Sequence, residues 1–173
     1  MTRKQQLNSL IVSRETKKNL KEYVSTIQNW NKAINLVSRV SINNIWDRHI
    51  MDSAQLSLFL TVNKKIWLDM GSGAGFPGIV IAIIAKEKFP GLKTVLIESD
   101  KRKCVFLEEV SRKLNLNITT ICNRIEDCSC LNADIISARA LAPMEKLLWY
   151  FKLHSKIETK GLFLKGKNVD SEL

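Results

Sequence analysis

Asp69, Gly71, Gly73, Gly75, Phe76, Pro77 and Gly78 stand within ten residues of one another, directly behind the apolar run Ile66-Trp67-Leu68. A short apolar run ending in a carboxylate reads as a buried strand that stops at a site. The glycines behind it let the backbone turn sharply and approach a ligand with no Cβ in the way. Residues 79–85 are apolar throughout and read as a buried helix. Its first turn offers N–H groups with no intrahelical partner, and Pro77 suits that position because it has no N–H to leave unpaired. Strand, glycine loop and helix form the front half of a nucleotide-binding unit. A second acid, Glu98, closes the next apolar run, Thr94-Val95-Leu96-Ile97, 20 residues after Gly78. In a βαβ unit an acid at that place takes the hydroxyls of a ribose.

Two cofactor classes compete for the loop. Gly73-Ala74-Gly75-Phe76-Pro77-Gly78 matches the dinucleotide pattern G-x-G-x-x-G, a weak signal alone. The glycines begin earlier, however, at Gly71, and an acid precedes them by two residues. That arrangement resembles the first motif of the S-adenosylmethionine-dependent methyltransferases. Asp69 discriminates: a carboxylate there repels a pyrophosphate and tolerates a cationic sulfonium and ammonium. Glu98 serves a ribose in either class and does not discriminate.

The elements that must position these groups follow from periodicity. Ser13 caps a helix whose apolar face is Leu20, Tyr23, Val24, Ile27, Trp30, Ile34 and Val37, with Lys17, Lys18, Lys21 and Lys32 on the other face. Asn31 and Asn35 lie near its end and either cap it or hold a turn. Ser41 caps a second helix carrying Ile42, Ile45, Trp46, His49 and Ile50. Strands are expected at residues 66–70, 94–98, 118–122, 134–140 and 161–166. Asp100 caps a helix that reaches Leu114, with a core face of Val105, Phe106, Leu107, Val110 and Leu114; a further helix runs from Pro143 to His154. Strand and helix alternate from Ile66 onward, which gives an α/β fold with a doubly wound, mainly parallel sheet. Residues 1–62 form an N-terminal helical cap and residues 63–173 the cofactor-binding domain.

With 27 Lys and Arg against 17 Asp and Glu, the net charge of +10 favours a polyanionic partner, nucleic acid first. No apolar run reaches a membrane-spanning length, and the N-terminus lacks an adjoining apolar signal core, so the expectation is a cytoplasmic protein. Cys104, Cys122, Cys128 and Cys130 have no C-x-x-C spacing, and His49 and His154 are the only histidines, so no metal site is expected.

Taken together, Trp30-Asn31-Lys32-x-x-Asn35-Leu36, Arg48-His49-x-x-Asp52-Ser53, Asp69-Met70-Gly71-Ser72-Gly73-Ala74-Gly75-Phe76-Pro77-Gly78, Arg124-Ile125-Glu126, Ser137-Ala138-Arg139-Ala140 and Leu164-Lys165-Gly166 resemble the bacterial 16S ribosomal RNA methyltransferase G family, also called glucose-inhibited division protein B. The motifs occur in family order across nearly the whole chain. The resemblance implies a Rossmann-like class I methyltransferase fold and transfer of a methyl group from S-adenosylmethionine to N7 of a guanosine in small-subunit 16S rRNA. It implies a cofactor site made of Asp69, Gly71, Gly73, Gly75, Phe76, Glu98, Ile125, Glu126 and Arg139, in which Gly73 and Gly75 shape the loop and Asp69 organises the loop and the methionine end. Arg48, His49 and Lys165 are the implied RNA contacts, and Arg139 and Lys165 position the reacting groups; no residue is expected to act as a general base. The partner is 16S rRNA or the small ribosomal subunit, met by a monomer. The chain ends just past its fifth strand, so the final antiparallel hairpin of such folds is expected to be missing. Two readings stay open beside this one: a catalytically silent RNA-binding protein of the same fold, and an NAD-dependent oxidoreductase.

Overall fold

The computed structural model describes residues 13–164. Helix α1 (Arg14–Trp30) starts where the Ser13 hydroxyl accepts a hydrogen bond from the Thr16 N–H, with Glu15 in the first turn. Leu20, Tyr23, Val24 and Ile27 make its buried face. The helix stops at Trp30, short of the expected Val37, because the Asn31 amide competes for the backbone. Its Oδ1 accepts from the N–H groups of Leu36 and Val37, both at 2.9 Å, and its Nδ2 donates to the Val37 carbonyl. Ile34 and Val37 therefore reach the core from a loop that Asn31 holds shut. Helix α2 (Arg39–Asn43) is capped by Ser38, not Ser41: the Ser41 N–H donates to the Ser38 hydroxyl at 3.2 Å. The chain then runs through a π turn (Trp46–Met51), one α turn (Asp52–Ala54) and a 3-10 turn (Gln55–Phe59).

Among the described residues five parallel strands follow: β1 (Ile66–Met70), β2 (Lys93–Glu98), β3 (Ile118–Cys122), β4 (Ala133–Arg139) and β5 (Ser155–Leu164). They stand in the order β3-β2-β1-β4-β5. The chain leaves β1 toward β2 and returns to its other side with β4, so the topological switch lies at β1, where such sheets open a crevice at their carboxyl ends. The Asp134 carboxylate accepts from the N–H groups of Lys65 and Ile66 and so fixes where β1 begins. Strand β5 starts six residues before the expected Gly161. Its first half is exposed and polar, paired to β4 through a register shift, with the Thr159 hydroxyl donating to the Ala133 carbonyl. No apolar alternation marked it in the sequence.

The intervening helices are α3 (Gly78–Lys88), α4 (Lys101–Lys113) and α5 (Met144–His154). Residues 79–85 of α3 are all buried, which explains their lack of helical periodicity. The sheet covers one side of α3 and helix α1 the other: Leu20, Tyr23 and Ile27 share a core cluster with Ile79, Ile83, Leu96 and Phe106. At roughly 1.5–3 kcal/mol for each fully buried large side chain, this contact binds the helical segment firmly to the α/β body. The Asp100 cap of α4 forms as expected, whereas Val105 of its expected core face is exposed and Cys104 is buried in its stead. Helix α5 covers the opposite face of the sheet through Leu147 and Tyr150.

Candidate cofactor and substrate site

The loop between β1 and α3 owes its shape to residues that no larger side chain replaces. Gly71 has φ +64°, and a Cβ there would lie 2.4 Å from Leu141 Cδ1. Gly75 has φ +93°, and a Cβ there would lie 2.6 Å from Ile79 Cδ1 and 2.9 Å from the Tyr23 hydroxyl. Tyr23 is fully buried in α1, and its hydroxyl donates to the Ala74 carbonyl at 2.5 Å, so the helical segment grips the loop directly. Tyr23 was legible in the sequence only as a core residue.

Beside this loop lies a cavity of about 1050 Å³, at the carboxyl ends of β1, β2 and β4. Gly71, Gly73, Phe76, Glu98, Ile125, Glu126 and Arg139 line it, as do Arg48 and His49. Glu98 is held by backbone: its Oε2 accepts from the Gly73 N–H at 2.7 Å, and its Oε1 from the N–H groups of Ser99 and Asp100. The acid at the end of β2 and the glycine loop at the end of β1 are thus one unit, 25 residues apart in sequence.

Asp69 and Gly75 do not line the cavity. Asp69 lies fully buried behind the loop, where its Oδ2 accepts from the Gly78 N–H at 3.2 Å and its Oδ1 from the Ser137 hydroxyl at 2.7 Å. It ties the first turn of α3 to β4. Burial raises its carboxyl from 3.8 to about 6, against the opposing hydrogen bonds from Ser137, Gly78 and Ser72 and the Arg139 charge. The expected organiser of the loop thus stands behind it, with no place on the cavity wall. Lys165 lies outside the described residues.

The far end of the cavity is built by the helical segment. Arg139 sits 4.9 Å from the Phe76 ring centroid. Its guanidinium donates to the Arg48 carbonyl at 3.4 Å and to Nδ1 of His49. The His49 ring stacks on Phe76 at 4.9 Å. Burial, then the charges of Arg139 and Arg48, push the His49 imidazole down to about 4. At neutral pH it is therefore uncharged, with Nδ1 accepting from Arg139 and the proton on Nε2. The π turn at Trp46–Met51 brings Arg48 and His49 to this position; such turns are frequent at functional sites. Ser41, Asp52, Leu141 and Leu164 also line the cavity, and sequence reasoning passed over all four as site residues. Asp52 and Leu164 carried a hint, since each stands in a motif of the resemblance, Arg48-His49-x-x-Asp52-Ser53 and Leu164-Lys165-Gly166. Among the described residues no group of three His, Cys, Asp or Glu side chains is placed to hold a metal ion, and no helix is long and apolar enough to cross a membrane.

The residues can hold a nucleoside-bearing cationic cofactor: an acid for a ribose, a loop whose positive φ angles leave backbone open to a ligand, and a buried carboxylate behind it. Solved structures share the fold. The M. jannaschii TYW2 protein in complex with AdoMet superimposes with a TM-score of 0.54 at 21% identity, covering 65% of this chain and 50% of that one. A SAM-dependent methyltransferase from Thiobacillus denitrificans in complex with S-adenosyl-L-homocysteine superimposes with a TM-score of 0.54 at 14% identity, covering 73% and 55%. The chain thus spans about half the length of these structures. Sequence similarity reaches further. The ribosomal RNA small subunit methyltransferase G of Cereibacter sphaeroides is 45% identical over 167 residues, 96% of this chain and 81% of the relative. The protein of the same name from Parvibaculum lavamentivorans is 46% identical over 165 residues, 94% of this chain and 72% of the relative. The family profile described as rRNA small subunit methyltransferase G matches residues 16–173, which takes in the helical segment, the glycine loop and every strand of the sheet. On this similarity the chain belongs to the rRNA small subunit methyltransferase G family.

Proposed function

We propose that the cavity binds S-adenosylmethionine and that the protein transfers its methyl group to N7 of a guanosine in 16S rRNA. Family membership carries the enzyme class, the methyl donor and the ribosomal RNA substrate. One structural observation carries the site: the Glu98 carboxylate bonded to the Gly73 N–H on the wall of the cavity. In this reading Glu98 takes the ribose, Ile125 and Glu126 flank the adenine, and Gly71 and Phe76 line the methionine end, with Asp69, Gly73 and Gly75 shaping the loop. Bound there, S-adenosylmethionine supplies a methyl carbon that passes to N7 while the C–S electron pair stays on sulfur and the base takes up the positive charge. Guanine N7 has an in-plane lone pair and no proton, so the chain needs no general base. The protein's work is alignment, and Arg139, packed on Phe76 and bonded to the π turn, is placed to hold the acceptor. Arg48, His49 and Lys165 meet RNA. Residues 1–62 act as a helical cap on the domain formed by 63–173, and the protein works as a cytoplasmic monomer on rRNA or the small subunit.

The test is parallel isothermal titration with S-adenosylmethionine and NAD, followed by incubation of the labelled methyl donor with small-subunit rRNA and with subunits. N7-methylguanosine is cleaved by borohydride and aniline, so one new cleavage site is expected. Methyl incorporation without cleavage points to another atom. NAD binding in place of S-adenosylmethionine overturns the assignment, and cofactor binding without incorporation leaves a silent RNA-binding protein.

A further inference from the structure

The cavity's volume of about 1050 Å³ meets the upper end of the roughly 300–1000 Å³ that encloses a drug-sized ligand. Three carboxylates line it: Asp52, Glu98 and Glu126. Glu98 holds the glycine loop, and Glu126 belongs to the turn after β3. Asp52 comes from the helical segment, at the end where Arg48, His49 and Arg139 gather. It is half-buried, and it is one of three groups, after Tyr23 and Asp69, whose charge opposes the lowering of the Arg139 guanidinium by burial. Arg139 engages the Arg48 carbonyl and His49 through one nitrogen, Nη1. A guanidinium has five N–H donors, so others remain for a ligand.

We propose that Asp52 reads the target base by accepting hydrogen bonds from guanine N1–H and N2–H₂, with Arg139 donating to O6. The inference rests on the methyltransferase reading above and adds the residue that selects the base. An enzyme acting on one atom of a base takes the base out of its stack and reads its Watson–Crick edge. On guanine that edge presents acceptor, donor, donor. The Arg139 guanidinium and the Asp52 carboxylate, which line the same cavity, offer the complementary donor, acceptor, acceptor. Adenine offers a donor where guanine has O6 and an acceptor at N1, and both oppose this pair. The carboxylate also favours the reaction itself. Methylation leaves the base cationic and makes N1–H a stronger donor, so the Asp52 interaction strengthens along the reaction coordinate, and that differential is what accelerates a chemical step.

The experiment compares a small-subunit rRNA fragment, naked or in reconstituted subunits, carrying guanosine or inosine at the target position. Inosine keeps O6, N7 and N1–H and lacks only the 2-amino group. Equilibrium binding is read by fluorescence anisotropy with S-adenosylhomocysteine present, and single-turnover methylation separately. The wild type is expected to prefer guanosine by roughly tenfold or more, the scale of one hydrogen bond to a charged group. Asp52→Ala is expected to bind both RNAs with nearly equal affinity and to methylate guanosine roughly 100-fold more slowly, with S-adenosylmethionine affinity within about twofold of wild type. A purely structural role for Asp52 lowers binding of both RNAs alike and leaves the preference for guanosine intact; that result overturns the proposal. Asp52→Asn, close in shape, provides the comparison if the alanine variant does not fold, and it too is expected to lose the preference. Wild type that methylates N7 with no preference for guanosine over inosine sinks this proposal alone. Wild type that binds no S-adenosylmethionine sinks the reading on which it rests.

Discussion

Asp69→Asn isolates the electrostatics of the glycine loop. Asp69 is fully buried, and burial lifts its carboxyl from 3.8 to about 6 in the folded protein. In the unfolded chain an aspartate titrates near 3.9, so the folded state binds this proton the more tightly. Between about pH 4 and pH 6 the folded protein therefore holds more protons than the unfolded chain, and stability falls as pH rises through that window. Above pH 6 the penalty is complete and constant. A difference of about two pKa units corresponds to roughly 3 kcal/mol. Asparagine has nearly the same shape. Its carbonyl can accept from the Gly78 N–H while its amide donates to the Ser137 hydroxyl, which also serves as an acceptor. The variant thus keeps the network and loses the titration. Urea denaturation of both proteins from pH 4 to pH 7.5 measures the difference, in which the other carboxylates cancel. The wild type is expected to lose roughly 3 kcal/mol relative to Asp69→Asn between pH 4 and pH 7, to within about a factor of two. Parallel profiles, or a wild type that gains on the variant as pH rises, would refute the reasoning.

Gly71→Val places a branched side chain at φ +64° and against Leu141; S-adenosylmethionine affinity should fall roughly 100-fold or more, the equivalent of up to about 3 kcal/mol of backbone strain, and unchanged affinity in a cooperatively folded variant removes the loop from the site. Glu98→Ala deletes the acceptor for three backbone N–H groups and the acid proposed to take the ribose, so titration should show cofactor binding weaker by about 1–3 kcal/mol. His49, depressed to about 4, stays neutral above about pH 5, and N7 has no proton to lose. Above the titration of Asp69 near 6, single-turnover methylation should accordingly be flat from about pH 7 to pH 8, and an inflection within that range would show that a base titrates in the reaction. The net charge of +10 predicts rRNA affinity that falls steeply with salt, read as the slope of log affinity against log salt; a flat line leaves the basic surface merely solvated.

The sequence by itself determined the local and the chemical. A run of β-branched and aliphatic residues, an acid, glycines at positions 71, 73, 75 and 78 and an apolar helix allow one arrangement, because backbone conformation at positive φ and burial of a whole helix leave few choices. The caps Ser13 and Asp100 were equally legible, since each satisfies N–H groups within three residues of itself. Other features depended on partners far along the chain. Asn31 ends α1 because its amide finds the backbone of Leu36 and Val37, and periodicity alone could not show that a side chain would outcompete the next helical turn. The start of β5 follows from pairing to β4, because its exposed half carries no apolar alternation. Asp69 was legible as an organiser of the loop, but not the partners through which it acts: Ser137, 68 residues away, and the first turn of α3 enclose it. The end of the cavity at Arg139 was the least legible of all. Asp52, Arg139 and Phe76 come from a helical turn, a strand end and a loop, each ordinary in its own segment. Only the packing of the helical segment over the sheet's carboxyl edge brings a carboxylate, a guanidinium and an aromatic ring to one cavity, where removal from water gives their charges consequence.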